Sequence, residues 1–448
     1  MTLYPRYKKY KPTSCAWLAE IPEHWKIKRV KNIATYNDEV LDERTDPDFE
    51  IEYVDISSVT LTNGIQKTET MPFEKSPSRA RRKVKDGDII VSTVRTYLKA
   101  IASISDPPEN MIVSTGFAVI RPKENFHSGF AGYLLQSNGF VGEVVANSVG
   151  VSYPAINASD LVRIPAVEPP LEEQQAIARF LDFKTAQIDT LIAKQQTLLD
   201  KLIEKRTAII SHAISKGVDS QVEVKNSGVE WLGNIPAHWE VKRIKNIATY
   251  NDEALDERTD PDFEIDYVDI SSVTLTNGIQ KTETMPFEKS PSRARRKVKD
   301  GDIIVSTVRT YLKAIASISD PPENMIVSTG FAVIRPKENF HSGFAGYLLQ
   351  SNGFVGEVVA NSVGVSYPAI NASDLVRIPA VEPPLEEQQA IARFLDFKTA
   401  QIDAQCQKIN EVIFNLQEYR SSLITNTVTG KIDVRGVQIP QPAKGMAS

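Results

Sequence analysis

The chain contains one long sequence twice. The segment IPEHWKIKRVKNIATYNDEVLDERTDPDFEI begins at Ile21 and returns, slightly altered, at Ile235, an offset of 214 residues. From Tyr53 to Asp189 the copy is identical over 137 residues, and six positions differ between Ile21 and Asp189. Solenoid repeats are only about 20–50 residues long, so each copy here is a whole domain plus a connector. The fold must therefore contain two nearly equal domains.

The duplication has two interpretations. It is either a tandem duplication without functional meaning, or a match to a ligand that is itself duplicated, of which two-fold symmetric DNA is the commonest. The net charge of −5 argues against a nucleic-acid ligand, because phosphate binding usually leaves a basic surface. The distribution of charge along the chain therefore matters more than its sum.

The composition indicates an ordinary soluble protein. The 448 residues, 41% of them hydrophobic, suffice for two or three domains. No run of 18 apolar residues occurs, and the basic N-terminus lacks the apolar stretch of a secretory signal. Cys15 and Cys406 cannot form a disulfide framework, and the five histidines lack metal-ligand spacing. We expect a cytoplasmic protein without a metal site.

Each copy begins with a region of mixed secondary structure. Runs rich in valine and isoleucine start at Ile51, Gly87 and Met111, and the turn residues around them indicate strands. The stretch from Ser128 predicts a helix with a glycine interruption. The predicted fold class is α+β, with two tandem mixed α/β domains.

Each copy ends in a predicted long helix. Acidic residues follow Pro170, and no further proline or glycine occurs before Gly217, so a helix is predicted from about Glu168. The second helix is predicted from Glu382 to about Thr429. Apolar residues at heptad spacing form a stripe on each helix, which suits helix-on-helix packing. The stripe residues are Ile188, Ile192, Leu199, Leu202 and Ile209 in the first helix, and Ile402, Ile409, Ile413, Leu416 and Leu423 in the second.

The connectivity predicts how the helices pack. The first helix leaves one domain and reaches the other, so a second helix packed along it runs back, giving an antiparallel coiled coil with pseudo-two-fold symmetry. The stripe from Ile188 to about Ala213 would span ~40 Å, about one turn of duplex DNA. Packing of each helix on its own domain alone is the alternative. The predicted boundaries are 1–167 and 218–381 for the domains, 168–217 and 382–430 for the helical spacers, and 431–448 for a tail.

A basic cluster interrupts the acidic chain. From Lys75 to Lys99 there are eight basic and two acidic residues, a charge of +6, and the copy spans Lys289 to Lys313. Lysine and arginine can neutralise phosphates, and arginine can bond to guanine in the major groove. A solvated, charge-balanced face is the alternative. The predicted DNA-binding residues are Lys75, Arg79, Arg81, Arg82, Lys83, Lys85, Ser92, Thr93, Arg95, Thr96, Tyr97 and Lys99, with their copies Lys289, Arg293, Arg295, Arg296, Lys297, Lys299, Ser306, Thr307, Arg309, Thr310, Tyr311 and Lys313.

No catalytic motif is complete. DPPEN at Asp106 starts like an adenine-methyltransferase motif, but Glu109 replaces the aromatic residue that stacks on a flipped base, so the segment is interpreted as a turn. PDFEIE at Pro47 lacks the lysine of a nuclease motif, and no phosphate loop is present. The sequence predicts a non-catalytic protein. Methyl transfer by the purified chain alone would support the alternative, a self-contained nuclease or methyltransferase.

Four motifs occur in the same order in both copies. They are W-L-x-x-I-P-x-H-W (Trp17 and Trp231), G-D-I-I-V-S-T (Gly87 and Gly301), G-V-S-Y-P-A-I-N-A-S-D-L (Gly150 and Gly364) and P-P-L-E-E-Q-Q-A-I-A-R-F-L (Pro169 and Pro383). With this ordered set, the chain resembles over nearly its whole length the specificity subunits of type I restriction-modification enzymes.

The resemblance implies a DNA sequence-recognition subunit. Each domain would be a target-recognition domain that reads one half of a bipartite target, and the coiled coil would set the gap. The implied partners are double-stranded DNA, two methyltransferase subunits and restriction and translocation subunits. S-adenosylmethionine, ATP and magnesium would bind to those partners and not to this chain. Family members commonly carry two different domains, so the near-identity here predicts a palindromic target. A coiled-coil adaptor with duplicated protein-binding domains is the alternative.

Overall fold

The computed structural model describes residues 4–219 and 221–439. The chain divides into two compact units, one comprising Met1–Gln195 with Glu411–Ser448 and the other Gln196–Asn410. Each unit contains one copy of the mixed region and a piece of each long helix. The predicted α+β class with tandem mixed domains and two long helices is confirmed, whereas the predicted domain boundaries stay a prediction.

The first copy consists of short strands and helices followed by the first long helix. Its strands are β1 (Tyr10–Pro12), β2 (Glu20–Pro22), β3 (Lys26–Arg29), β4 (Ala34–Tyr36), β5 (Glu50–Val54), β6 (Val59–Thr60), β7 (Gly64–Ile65), β8 (Glu69–Pro72), β9 (Ala80–Lys83), β10 (Ile89–Ser92), β11 (Ile101–Ser103), β12 (Met111–Ser114), β13 (Phe117–Pro122) and β14 (Pro165–Glu168). Its helices are α1 (Val30–Ile33), α2 (Ser128–Gln136), α3 (Asn138–Ala146), α4 (Ala158–Leu161) and α5 (Leu171–Lys216).

The second copy repeats this order. Its strands are β15 (Val224–Asn226), β16 (Asn234–Pro236), β17 (Glu240–Arg243), β18 (Ala248–Tyr250), β19 (Glu264–Val268), β20 (Val273–Thr274), β21 (Gly278–Ile279), β22 (Glu283–Pro286), β23 (Ala294–Lys297), β24 (Ile303–Ser306), β25 (Ile315–Ser317), β26 (Met325–Ser328), β27 (Phe331–Pro336) and β28 (Pro379–Glu382). Its helices are α6 (Ile244–Ile247), α7 (Ser342–Gln350), α8 (Asn352–Ala360), α9 (Ala372–Leu375) and α10 (Leu385–Val428).

Two four-stranded sheets form the centre of each mixed region. In the first copy they have the orders β11-β10-β13-β4 and β8-β5-β12-β9, and only β5 and β12 are parallel neighbours. Ile89 and Val91 of β10 belong to the core that includes the helices, whereas Ile90 belongs to a core with Val54 of the second sheet. Since successive residues of a strand point to opposite faces, β10 is buried on both faces. This burial explains its continuous apolar run.

The helical stretch after Ser128 is two helices, which corrects the prediction of a glycine interruption. Ser137 lies between α2 and α3 with ψ at 146°. Its hydroxyl donates to the Leu134 carbonyl at 2.7 Å and accepts from the Phe140 N–H at 3.4 Å. A serine hydroxyl at this position replaces a hydrogen bond that the first turn of a helix lacks. The serine, not a glycine, therefore marks the break.

Local signals determine both ends of the long helices. α5 begins three residues later than predicted because Pro165–Glu168 is β14, which pairs with β3. α10 also begins later than predicted, because Pro379–Glu382 is β28, which pairs with β17. Gly217 follows α5 and Gly430 lies just beyond α10, both with φ at 75°. Glycine adopts this left-handed conformation without a Cβ clash, so it ends a helix readily.

Within each unit a piece of α5 is paired antiparallel with a piece of α10. In the first unit, Arg420 Nε of α10 donates to Asp189 Oδ1 of α5 at 2.9 Å. In the second unit, Arg206 Nε of α5 donates to Asp403 Oδ1 of α10 at 3.1 Å. Arg206 and Arg420 are equivalent positions in the repeat, although the two helices diverge in sequence after Asp189 and Asp403.

The predicted stripes lie on the less exposed side of these helices. Ile188, Ile402, Ile409 and Leu423 are buried, and Ile192, Leu199, Leu202, Ile209, Ile413 and Leu416 are half-buried. Leu191 and Leu198, which lie beside the stripe, are exposed. Neither long helix, nor any other in the described ranges, carries the apolar stretch that a bilayer crossing would need.

Candidate nucleic-acid interface

The predicted basic cluster, Lys75–Lys99, begins on an edge of the second sheet. Strand β9 is the edge strand and pairs antiparallel with β12, with a bulge between Val113 and Ser114. Arg81 and Arg82 project from this edge. The outer side of β9 is covered by residues 39–41, because the Leu41 N–H donates to the Arg81 carbonyl at 2.7 Å and the Lys83 N–H donates to the Glu39 carbonyl at 3.1 Å. The position of the two arginines on this strand does not by itself identify a ligand.

Two cations of the cluster are neutralised within the domain. Arg79 lies 2.9 Å from Asp55, and Lys85 lies 2.5 Å from Glu39. The second copy forms the same two pairs. Among the described residues, the remaining cations of the cluster have no carboxylate oxygen within 4.0 Å. These cations are Lys75, Arg81, Arg82, Lys83, Arg95 and Lys99, and Lys289, Arg295, Arg296, Lys297, Arg309 and Lys313.

An ion network stabilises the acidic segment next to the cluster. Arg121 donates two hydrogen bonds, of 2.8 and 2.7 Å, to the buried Asp88, and one of 2.6 Å to Glu39. These hydrogen bonds raise the pKa of Arg121. Hydrogen bonds from Lys85 and Arg121 lower the pKa of Glu39. The acidic residues here are already paired within the domain, which is why they do not cancel the remaining cations of the cluster.

Arg82 is half-buried, as are Arg81 and Lys83 beside it. Burial lowers the pKa of the Arg82 guanidinium. Its Nε atom is shielded from solvent and has no hydrogen-bond partner among the described residues, and Arg296 repeats this arrangement. A shielded donor without an acceptor is energetically costly.

Three of the predicted polar contacts are buried, which corrects the expectation that they reach a ligand. The hydroxyls of Ser92 and Thr93 donate to backbone carbonyls at 2.6 and 2.9 Å. Thr96 donates to the hydroxyl of Ser148 at 2.8 Å. Ser306, Thr307 and Thr310 of the second copy make the same bonds. These side chains hold the loop after β10 in shape.

The same loop presents three other predicted residues to solvent. Arg95, Tyr97 and Lys99 are exposed. Arg95 and Lys99 have φ at 49° and 51°, a left-handed conformation that residues with side chains seldom adopt. Such strained positions cluster at functional sites. The loop is therefore the part of the cluster with the clearest structural sign of function.

A second turn, which the sequence analysis did not name as a site, packs on this loop. Val149 and Ala155 exchange backbone hydrogen bonds of 2.8 and 3.0 Å and so close the turn. Val151 and Tyr153 project from it, and the guanidinium of Arg95 lies 5.4 Å from the centre of the Tyr153 ring. The alternation of apolar residues in VGVSY is typical of a half-buried strand, but Val149, Val151 and Tyr153 are all exposed.

The segment DPPEN is a turn, as predicted. The Met111 N–H donates to the Pro108 carbonyl at 2.9 Å, and the Asp106 N–H donates to Asp86 Oδ1 at 2.8 Å. In the described ranges, no three histidine, cysteine or carboxylate side chains converge as a metal site would require.

Comparison with known proteins matches both copies to one family. The sequence profile described as "Type I restriction modification DNA specificity domain" matches residues 22–200 and 236–413. These two regions together make up well over half of the chain.

Individual proteins give the same result. The chain is 24% identical over 432 residues to the putative type I restriction enzyme MjaX specificity subunit of Methanocaldococcus jannaschii, covering 93% of this chain and 96% of that protein. It is 23% identical over 318 residues to the type I restriction enzyme EcoDI specificity subunit of Escherichia coli, covering 68% and 70%. A solved chain described under "Structural basis underlying complex assembly and conformational transition of the type I R-M system" superposes with a TM-score of 0.68 at 21% identity, covering 91% and 98%. That last likeness supports the fold.

Proposed function

The chain belongs to the family of type I restriction-modification specificity subunits, and from this premise we propose that it reads the DNA target of such a system. The observation that carries the proposal is that the family profile matches twice, once in each copy of the repeat. Each copy also presents six cations that have no carboxylate partner among the described residues. Cations of this kind bind phosphates and release counterions.

The proposed target is bipartite and palindromic in its specified bases, with an unspecified gap. The two copies are identical from Tyr53 to Asp189, so they would specify the same bases. The opposite directions of the paired helix pieces favour half-sites on opposite strands. Two-fold symmetric proteins read inverted half-sites for the same reason.

The proposed contacts come from the cations without internal partners. Lys75, Lys83 and Lys99 would neutralise phosphates, and Arg81, Arg82 and Arg95 would in addition reach base edges, since arginine bonds guanine in the major groove. Tyr97 is a further candidate contact, as are Arg79 and Lys85 once they exchange their carboxylate partners for phosphate. The equivalent residues of the second copy would act in the same way.

Catalysis is proposed to belong to partner subunits. Two methyltransferase subunits would methylate adenine at the target with S-adenosylmethionine, and restriction subunits would use ATP and magnesium to translocate and cleave DNA. The support for this division of labour is the family to which the chain belongs, together with the incomplete DPPEN and PDFEIE motifs.

Genome-wide mapping of methylated adenines in cells that contain the chain and its methyltransferase subunits tests the target. We expect one motif with two identical, inverted half-sites. An asymmetric motif would contradict the palindrome but would leave DNA reading intact.

Salt dependence tests DNA binding itself. Each neutralised phosphate contributes about −0.9 to the slope of log K against log salt concentration, so several phosphate contacts predict a steep loss of affinity for duplex DNA as salt rises. A chain that bound only proteins, with no salt-dependent affinity for DNA, would support the adaptor interpretation instead.

A further inference from the structure

The most exposed large apolar side chains of the described residues lie on two equivalent turns. We call residues 149–155 and their copy 363–369 the fingers. Val149, Val151 and Tyr153 are 81%, 102% and 67% exposed, and Val363, Val365 and Tyr367 are 80%, 101% and 68% exposed. Clustered apolar side chains in water mark interaction sites more often than scattered ones do.

Each finger is held in a defined shape. Besides the two hydrogen bonds between Val149 and Ala155, the Ile156 N–H donates to the Thr93 carbonyl at 2.9 Å. Gly150 has φ at 110°, which a residue with a Cβ atom rarely adopts. A preformed turn loses little conformational entropy when it binds. The exposed side chains are therefore presented by a rigid support.

The finger is continuous with the edge that carries the basic cluster. The Thr115 N–H donates to the Arg79 carbonyl at 2.7 Å, and the Thr93 N–H donates to the Gly116 carbonyl at 2.8 Å. These bonds join β9, the turn after β12 and the loop that supports the finger. The finger and the basic cluster thus belong to one hydrogen-bonded framework in each unit, and Arg95 of the cluster lies against Tyr153 of the finger.

The composition of this surface favours DNA over protein as its ligand. Arg95, which stacks on Tyr153, has no carboxylate within 4.0 Å among the described residues. The ligand must offer negative charge together with apolar surface. Duplex DNA offers both, because phosphates flank grooves in which thymine methyl groups are accessible, and because apolar side chains can insert between base steps.

We infer that each finger enters a groove of the half-site and contacts bases, with Val151 and Tyr153 against apolar base surface and Arg95 at a base edge. This inference rests on the proposed function and adds to it a base-reading element outside the basic cluster. The finger contributes discrimination between sequences. The lysines contribute affinity for any sequence.

The separation of these roles makes the inference testable. Removing an apolar base contact lowers preference for the target but leaves the salt slope unchanged, because no phosphate contact is lost. Removing a phosphate contact lowers the slope by about 1 and weakens binding to all sequences alike.

The experiment uses the full chain assembled with its methyltransferase subunits. The variants are Val151→Ala with Val365→Ala, and Tyr153→Ala with Tyr367→Ala. The probes are a duplex with the mapped methylation motif and one with both half-sites scrambled. Val40→Ala is the matched control, because Val40 is 54% exposed and the chain already has alanine at the equivalent Ala254.

We expect each double variant to lose about 5- to 100-fold of its preference for the motif per half-site. Its salt slope and its affinity for the scrambled duplex should match those of the control. Val151→Ala alone should weaken reading of one half-site only. Should an alanine variant prove unstable, Val151→Thr with Val365→Thr keeps the side-chain shape and replaces one methyl group.

Two results would overturn the inference and leave the proposed function standing. One is an unchanged motif preference in all double variants. The other is unchanged DNA binding together with failure to assemble with the methyltransferase subunits, which would make the finger a protein-docking surface. A wild-type complex with no preference for the motif over the scrambled duplex would overturn the proposed function as well.

Discussion

Glu173 and its copy Glu387 occupy the same place in the motif PPLEEQ, yet their surroundings differ. Each accepts a hydrogen bond of 2.9 Å from a fully buried tryptophan, Trp25 or Trp239. The side chain of Glu173 is only 10% exposed, whereas that of Glu387 is 42% exposed. Identical sequence has therefore produced the same hydrogen bond in two different environments.

The difference comes from residues outside the repeat. The Tyr7 hydroxyl donates to Glu173 Oε2 at 3.1 Å, and Arg435 lies 3.7 Å from the same carboxylate. Burial and the charge of Glu173 raise the pKa of Tyr7, so the hydroxyl keeps its proton and donates. In the second unit a cavity of about 230 Å³ borders Glu387. Flanking segments, not the repeated block, complete the core around this carboxylate.

Replacing the carboxylate should produce the largest difference in stability between the two units. We expect Glu173→Ala to destabilise the first unit by about 3 kcal/mol, because two buried donors and a cation lose their acceptor. Glu387→Ala should destabilise the second unit by only about 1 kcal/mol, because water reaches that site. Hydrogen exchange can resolve the units, since the peptides IPEHWKI and IPAHWEV differ in mass. Equal losses would refute the comparison.

Removing only the hydroxyl that lies outside the repeat should have a smaller effect. Tyr7→Phe is expected to destabilise the first unit by about 1 kcal/mol, the usual net contribution of one hydrogen bond. The rate of hydrogen exchange around Trp25 should rise, whereas the rate around Trp239 should stay the same. Gln221→Ala, at the exposed equivalent position, is the control and should change neither. Faster exchange at both tryptophans would show that Tyr7 supports more than its own unit.

The helix ion pairs provide a comparison in which the two units should nearly agree. Arg420 donates to both oxygens of Asp189, at 2.9 and 3.3 Å, whereas Arg206 makes one bond of 3.1 Å to Asp403. The aspartates are about half exposed, which limits the gain. Arg420→Met should cost about 1 kcal/mol and Arg206→Met about 0.5 kcal/mol in denaturant unfolding. A larger cost for Arg206→Met would contradict this ranking.

The basic clusters of the two copies should contribute equally to DNA binding. Lys75 and Lys289 are both exposed in identical surroundings, so replacing either with alanine should lower the salt slope of duplex binding by the same amount, about 1, with no loss of thermal stability. Replacing both lysines should lower the salt slope by about 2. Unequal single effects would mean that the two copies do not meet DNA in the same way.

The sequence by itself determined the parts of this protein that depend on local pattern. Identical copies dictated identical domains. The apolar run in β10 marked a strand, and Gly217 and Gly430 marked the ends of the long helices. Heptad spacing placed Ile188 and Leu423 on the less exposed side of their helices. These signals are local, because they arise from strand and helix periodicity and from the φ angles that glycine allows.

Only the tertiary structure decided which side chains of the candidate site can reach a ligand. Ser92, Thr93 and Thr96 looked available in sequence but are buried, because a neighbouring loop and turn supply their acceptors. Val151 and Tyr153 were not among the predicted site residues but form an exposed finger. The acceptor of the Tyr7 hydroxyl lies 166 residues away along the chain. Burial depends on which distant segments meet, and neither periodicity nor composition encodes that meeting.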